Sequence, residues 1–178
     1  MSAPALPRVR PPAVAGLFYP AEGGALGELC DRLLAGVAAV PPGPPPKALV
    51  VPHAGLIYSG PIAASAYARV RGERAIERVV LLGPAHRVYV GGVGASGATG
   101  LQTPLGTVPV DESGLPQQVR PHPRAHAPEH SLEVQLPFLQ RALPHARVTP
   151  LLTCEAPPAE VGAVLAALWG GPETLVVI

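Results

Sequence analysis

The chain has 178 residues, of which 48% are hydrophobic and 14% charged, with a formal net charge of +1. That is about one domain of chain, apolar enough to build a core, which argues against disorder. Lys47 is the sole lysine and no segment gathers basic residues, so neither nucleic acid nor an anionic membrane is an expected partner.

Taken in chain order, residues 1–22 are proline-rich and read as an extended N-terminal strap. Within it, the aromatic stretch GLFYP (Gly16 to Pro20) either packs over the core or walls a pocket. Residues 24–40 read as a helix, because Leu26, Leu29, Cys30, Leu33, Leu34 and Val37 recur at helical spacing. Cys30 falls on that stripe and behaves as a small core residue. PPGPPP (Pro41 to Pro46) then forms a stiff connector.

Ala48 to Val51 is a first strand, stopped by Pro52. A helix follows from about Pro61 to Val70, with Ile62, Ala63, Ala66, Tyr67 and Val70 on one side and proline in its first turn. Ser59 is expected to cap it. Ile76 to Leu82 is a second, continuously apolar strand, as in a sheet covered on both faces. Residues 90–100 are glycine-rich, a short strand or a loop, and Thr103 to Asp111 holds a loop and a short strand. Residues 112–130 are polar and irregular, so His122 and His126 are expected in a solvated loop.

SLEVQLPFLQRAL is helical, with Leu132, Leu136, Leu139 and Leu143 on one face and Pro137 as a kink or an effective start. Arg147 to Leu152 is a third strand. Pro158 to about Trp169 is a helix with Val161, Val164, Leu165, Leu168 and Trp169 on its stripe, stopped by Gly170 and Gly171. Thr174 to Ile178 begins a last strand. Strands alternating with helices predict a layered α/β/α domain around a largely parallel or mixed sheet.

The residues suited to chemistry gather at strand ends. His53 follows the first strand and His86 the second, and ligands in such folds bind beyond the carboxyl ends of the strands. If the two strands are neighbours, the two imidazoles could share a metal. His130 opens the helix of E-H-S-L-E. There, Glu129 and Glu133 are spaced to share a helical face, as are His130 and Glu133. The acids either cap the helix or, with His130, serve a metal-bound ligand. Asp111 either closes a turn or orients a histidine from behind. Cys154 also follows a strand end, but a lone thiol is not placed in the metal set.

Motifs for dinucleotides, nucleotide phosphates, zinc peptidases and serine nucleophiles are absent. The two cysteines make no disulfide framework. The start, MSAPALPRVRPP, has no apolar signal core, and no apolar run nears the roughly 20 residues that span a bilayer. A cytoplasmic location is the expectation.

VPHAGLIYSGPIAASAY, RVVLLGPAHR, TPLGTVPVD and EHSLEVQLPFLQ, in this order and after VAGLFYP, resemble the Memo-like family, whose bacterial members are called AmmeMemoRadiSam system protein B. The likeness runs from about residue 10 to residue 178 and implies a single domain over 1–178. The family is related to class III extradiol ring-cleavage dioxygenases. The resemblance implies metal ligands at His53 of the HAG motif and His86 of GP-x-H, with His130 of EHS-x-E lining the same pocket; His130 and Glu133 are the expected catalytic residues. Fe(II) is the implied metal, with copper or zinc as alternatives, since imidazole accepts all three. Leu56 stands where the family commonly has tyrosine. The family's later Ser-Asp-x-x-His motif and a further cysteine, a source of the third ligand, do not occur here, so the domain is expected to be truncated after residue 178. The implied activity is oxygen activation or redox chemistry on an unidentified small molecule. The alternative is a non-catalytic binding partner or metal carrier acting with radical-SAM and AMMECR-type proteins.

Overall fold

A computed structural model describes residues 9–38 and 43–178. In chain order its elements are β1 (Val9–Arg10), α1 (Gly23–Ala35), β2 (Ala48–Leu49), α2 (Leu56–Tyr67), β3 (Arg78–Pro84), β4 (Val93–Ala95), β5 (Gly100–Thr103), β6 (Gly106–Pro109), β7 (Arg120–Pro121), α3 (Pro123–His126), α4 (Leu136–Ala142), β8 (Arg147–Thr153), α5 (Pro158–Leu168) and β9 (Thr174–Val177). Six strands form the main sheet in the order β2-β9-β3-β8-β4-β7, and β1-β5-β6 form a smaller one. The main sheet is mixed, because β4 runs antiparallel to β8 while its other pairs are parallel.

The continuous apolar runs follow from cover on both faces. In β3, Val79 and Leu81 enter one buried cluster with residues of α1, α2 and α4, while Val80 and Leu82 enter another with Val164 and Leu168 of α5. β9 divides the same way, with Leu175 and Val177 on the first side and Val176 on the second. Period-two alternation therefore makes both faces apolar, and the layered α/β/α architecture results.

Helix α1 buries Leu26, Cys30 and Leu34, and Glu22 caps it by accepting from the N–H of Ala25. It ends at Ala35, short of residue 40; residues 39–40 and the first two prolines of the connector lie outside the described residues, as do residues 1–8 of the strap. Burial pushes the Cys30 thiol up to about 12, as suits a core residue.

Helix α2 corrects three expectations. It begins at Leu56, so Pro61 is interior and not in the first turn. The bond that proline forgoes would run to the carbonyl of Ile57, a residue 83% exposed, where water can replace it. Ser59 is inside the helix, its hydroxyl donating back to the carbonyl of Ala54, and Gly55 takes the cap position. Ile62 is exposed, whereas Ala63, Ala64, Tyr67 and Val70 are buried. Trp169 likewise leaves the predicted stripe. It follows the end of α5, is 45% exposed, and lies under the Lys47 ammonium at 5.5 Å from its ring centre. Pro137 marks the start of α4, after a 3-10 turn over Glu133–Gln135.

Strand β9 lies between β2 and β3. The two histidine-bearing strand ends are thus two steps apart, about 10 Å at the usual strand spacing, with the end of β9 between them. Among the described residues no helix is long and apolar enough to cross a membrane.

Candidate metal centre

β2 closes at Leu49, short of the expected Val51, and Val50, Val51 and Pro52 carry the chain on to His53, while β3 closes at Pro84, two residues before His86. The third imidazole, His130, arrives from the segment before the 3-10 turn. Their ring centres are 5.3 Å (His53–His86), 4.7 Å (His86–His130) and 6.1 Å (His53–His130) apart. The separation left by the intervening strand is therefore closed by the side chains. Phe18 packs on His130 with ring centres 4.7 Å apart. It helps line an open depression of about 830 Å³ with Val50, Tyr58, Pro84 and Ile178 beside His53 and His130. GLFYP is thus both strap and wall, since Tyr19 is buried in the core while Phe18 faces the histidines.

One carboxylate organises the cluster. Glu129 is 2% exposed and accepts from the backbone N–H groups of His86 (2.5 Å), His130 (2.8 Å) and Ser131 (3.0 Å). It also lies 3.0 Å from Nδ1 of His86. Burial alone would raise its pKa, but these hydrogen bonds outweigh it and hold the carboxyl down at about 2. An ionised carboxylate can only accept, so Nδ1 of His86 carries the proton and Nε2 keeps its lone pair for a ligand. Nδ1 of His130 lies 3.1 Å from the same oxygen without hydrogen-bond alignment. It is buried and has no hydrogen-bond partner among the described residues.

Burial also pushes the pKa values of His53 and His130 down, helped at both rings by His86 and opposed by Glu129. Neutral imidazole is the form that binds metals. A group of donor atoms on His86, Glu129 and His130 lies within 4.8 Å of one another, close enough to hold an ion. Because Glu129 is already occupied by N–H donors, it is better suited to orient a ligand than to be one. Three imidazoles, one with an unpartnered buried nitrogen, form a donor set that fits a transition metal.

Other expected residues lie elsewhere. Glu133 does not join His130. Its carboxylate takes the guanidinium of Arg10 (2.5 Å), the Tyr19 hydroxyl (2.5 Å) and the N–H groups of Ala13 and Val14. The helical spacing fails because residues 129–132 precede the helical turn, which starts only at Glu133. Asp111 closes a turn on Ser113 beside the first residues of β8, remote from the strand ends that carry the histidines. His126 is buried and not solvated. Its Nε2 meets the carbonyl of Gly94 at 3.0 Å, and burial pushes it down to about 4. His122 is half-buried and Cys154 exposed. The orienting role of Glu129 escaped the sequence, where it looked like a helix-capping acid. Its adjacency to His130 was the available signal.

The family model described as Memo-like protein matches residues 10–178. The chain is 42% identical over 146 residues to a MEMO1 family protein of Ignicoccus hospitalis, covering 74% of this chain and 51% of that one. It is 44% identical over 140 residues to a MEMO1 family protein of Aquifex aeolicus, covering 75% and 50%. A third, from Thermotoga maritima, is 37% identical over 177 residues, covering 89% and 63%. The chain thus spans about half the length of the first two relatives.

Proposed function

The chain belongs to the Memo-like family, and from that premise we propose that His53, His86 and His130 form a metal centre, with Fe(II) as its first choice and copper or zinc as alternatives. The observation that carries this reading is the convergence of three imidazoles, with ring centres 4.7 to 6.1 Å apart, over one buried carboxylate. A bound iron would supply oxygen activation or redox chemistry toward a small molecule in the open depression. The residues themselves hold and orient: Glu129 sets the tautomer and aim of His86, and Phe18 limits the swing of His130.

The test is metal content after reconstitution with Fe(II) under anaerobic conditions. Wild type is expected to retain iron, and His53→Ala and His86→Ala are each expected to lose most of it. Equal content in all three sinks the reading.

A second reading, a metal carrier or non-catalytic partner of radical-SAM and AMMECR-type proteins, is favoured by the apolar surface beside the site. Val50 and Tyr58 are each more than 80% exposed there. Oxygen uptake by the iron-loaded protein with catechol-type diols supports the enzyme. Iron retention without uptake, together with co-purification of such proteins, supports the carrier.

A further inference from the structure

His86 has a carboxylate to aim it, but among the described residues the His53 ring makes no hydrogen bond. Its placement depends on the turn that carries it. That turn is held from the far side of the cluster. The side-chain amide of Gln135, which is 3% exposed, donates from Nε2 to the carbonyl of Pro52 at 3.2 Å. Its Oε1 accepts from the hydroxyl of Tyr67 at 2.8 Å.

This relay has one possible polarity. A carbonyl cannot donate, so the NH₂ of Gln135 must face Pro52 and its oxygen must face Tyr67. Tyr67 is fully buried and stacks on Phe138 with ring centres 5.3 Å apart. Burial pushes its hydroxyl far above the usual range, so it stays protonated and available as the donor. The same segment treats the other strand end alike. Ser131 donates to the carbonyl of Pro84 at 2.8 Å, and Glu129 grips the N–H of His86. Gly83 permits that approach, because a Cβ there would lie 2.7 Å from Leu132 and 3.0 Å from the Ser131 hydroxyl oxygen. Residues 129–135 therefore clamp both histidine-bearing turns.

We infer that Gln135, with its amide oriented by Tyr67, is a positioning residue for His53, acting through the Pro52 carbonyl. This rests on the metal-centre reading above. Proline restricts φ at position 52. Pinning its carbonyl then fixes the peptide plane from which His53 departs, and so the ring's approach to His86 and His130. A hydrogen bond that only stabilised the fold would have no preference for His53.

The experiment is a Co(II) titration of the 178-residue chain, read by visible absorption, in a double-mutant cycle. Gln135→Met is expected to weaken Co(II) binding about tenfold or more, the usual scale for residues that hold a ligand in place. In a His53→Ala background the same change is expected to cost nothing further. Tyr67→Phe/Gln135→Met removes both partners and strands no buried hydroxyl, so it keeps the comparison available if the single variant folds poorly. An equal loss in both backgrounds, or no loss in either, overturns the inference. If wild type takes up no Co(II), the metal reading fails on its own. Positioning is then judged from the His53 ring signal in ¹H–¹³C spectra of metal-free protein. A single sharp signal in wild type that broadens or doubles in the variant supports it, and an unchanged signal refutes it.

Discussion

Glu129 and Glu133 are four residues apart on one segment, both are at most 2% exposed, and they serve opposite ends. Glu129 faces the histidines and is satisfied by peptide N–H groups and one imidazole. Glu133 faces away and is satisfied by a guanidinium, a phenol and two peptide N–H groups of the N-terminal strap. Arg10 completes that second site by donating to the carbonyls of His126 and Glu129. One carboxylate thus tunes a site, and the other locks the strap that delivers Phe18 to it. The difference lies in the partners, since residue type and burial are the same.

The largest effect is expected at the lock. Glu133→Ala leaves the guanidinium of Arg10 buried at 8% exposure without its counter-charge. Breaking a buried pair this way costs about 3–5 kcal/mol, to be measured by urea unfolding. A loss under about 1 kcal/mol, the scale of an exposed pair, would erase the contrast between the two acids.

Glu129→Gln is expected to act mainly on binding, because the amide keeps the shape but cannot accept from every N–H that now points at it. Metal affinity should fall about 10- to 100-fold while the unfolding midpoint moves less than in Glu133→Ala. The opposite ranking, a large midpoint shift with unchanged affinity, would make Glu129 a second lock.

The smallest effect is a pH signature. The folded carboxyl of Glu129 sits at about 2, below its ordinary 4.5. Between those values the unfolded chain binds more protons than the folded one, so stability rises with pH there. The contribution is fully present above about 4.5 and is lost as pH falls through about 2. In metal-free protein, Glu129→Gln should flatten the acid limb of an unfolding-midpoint curve across this window. An unchanged limb would show that the hydrogen bonds to Glu129 do not outweigh its burial.

Much of the fold was readable because burial on both faces writes itself directly into composition. The runs at Val79–Leu82 and Leu175–Val177 have one outcome, a central strand, and the leucine period of α1 has one outcome, a helix against the core. The strand-end positions of His53 and His86 were legible for the same reason, since Pro52 and Pro84 close the runs before them. The role of Glu133 was not. Helical spacing assigned it to His130, but the segment is not helical there, and its partners Arg10 and Tyr19 come from residues more than a hundred positions away. His126 misled similarly, because polar neighbours in sequence do not reveal the Gly94 carbonyl that receives its ring.

By its own pattern, then, the chain specifies strands, helices and which histidines end up near a strand terminus, because these depend on local propensity and on the period of apolar residues. The insertion of β9 between β2 and β3, the convergence of three imidazoles across that gap, and the division of labour between Glu129 and Glu133 arise only on folding. They depend on hydrogen bonds between segments distant in sequence, and the need to satisfy each buried polar group selects those partners in space.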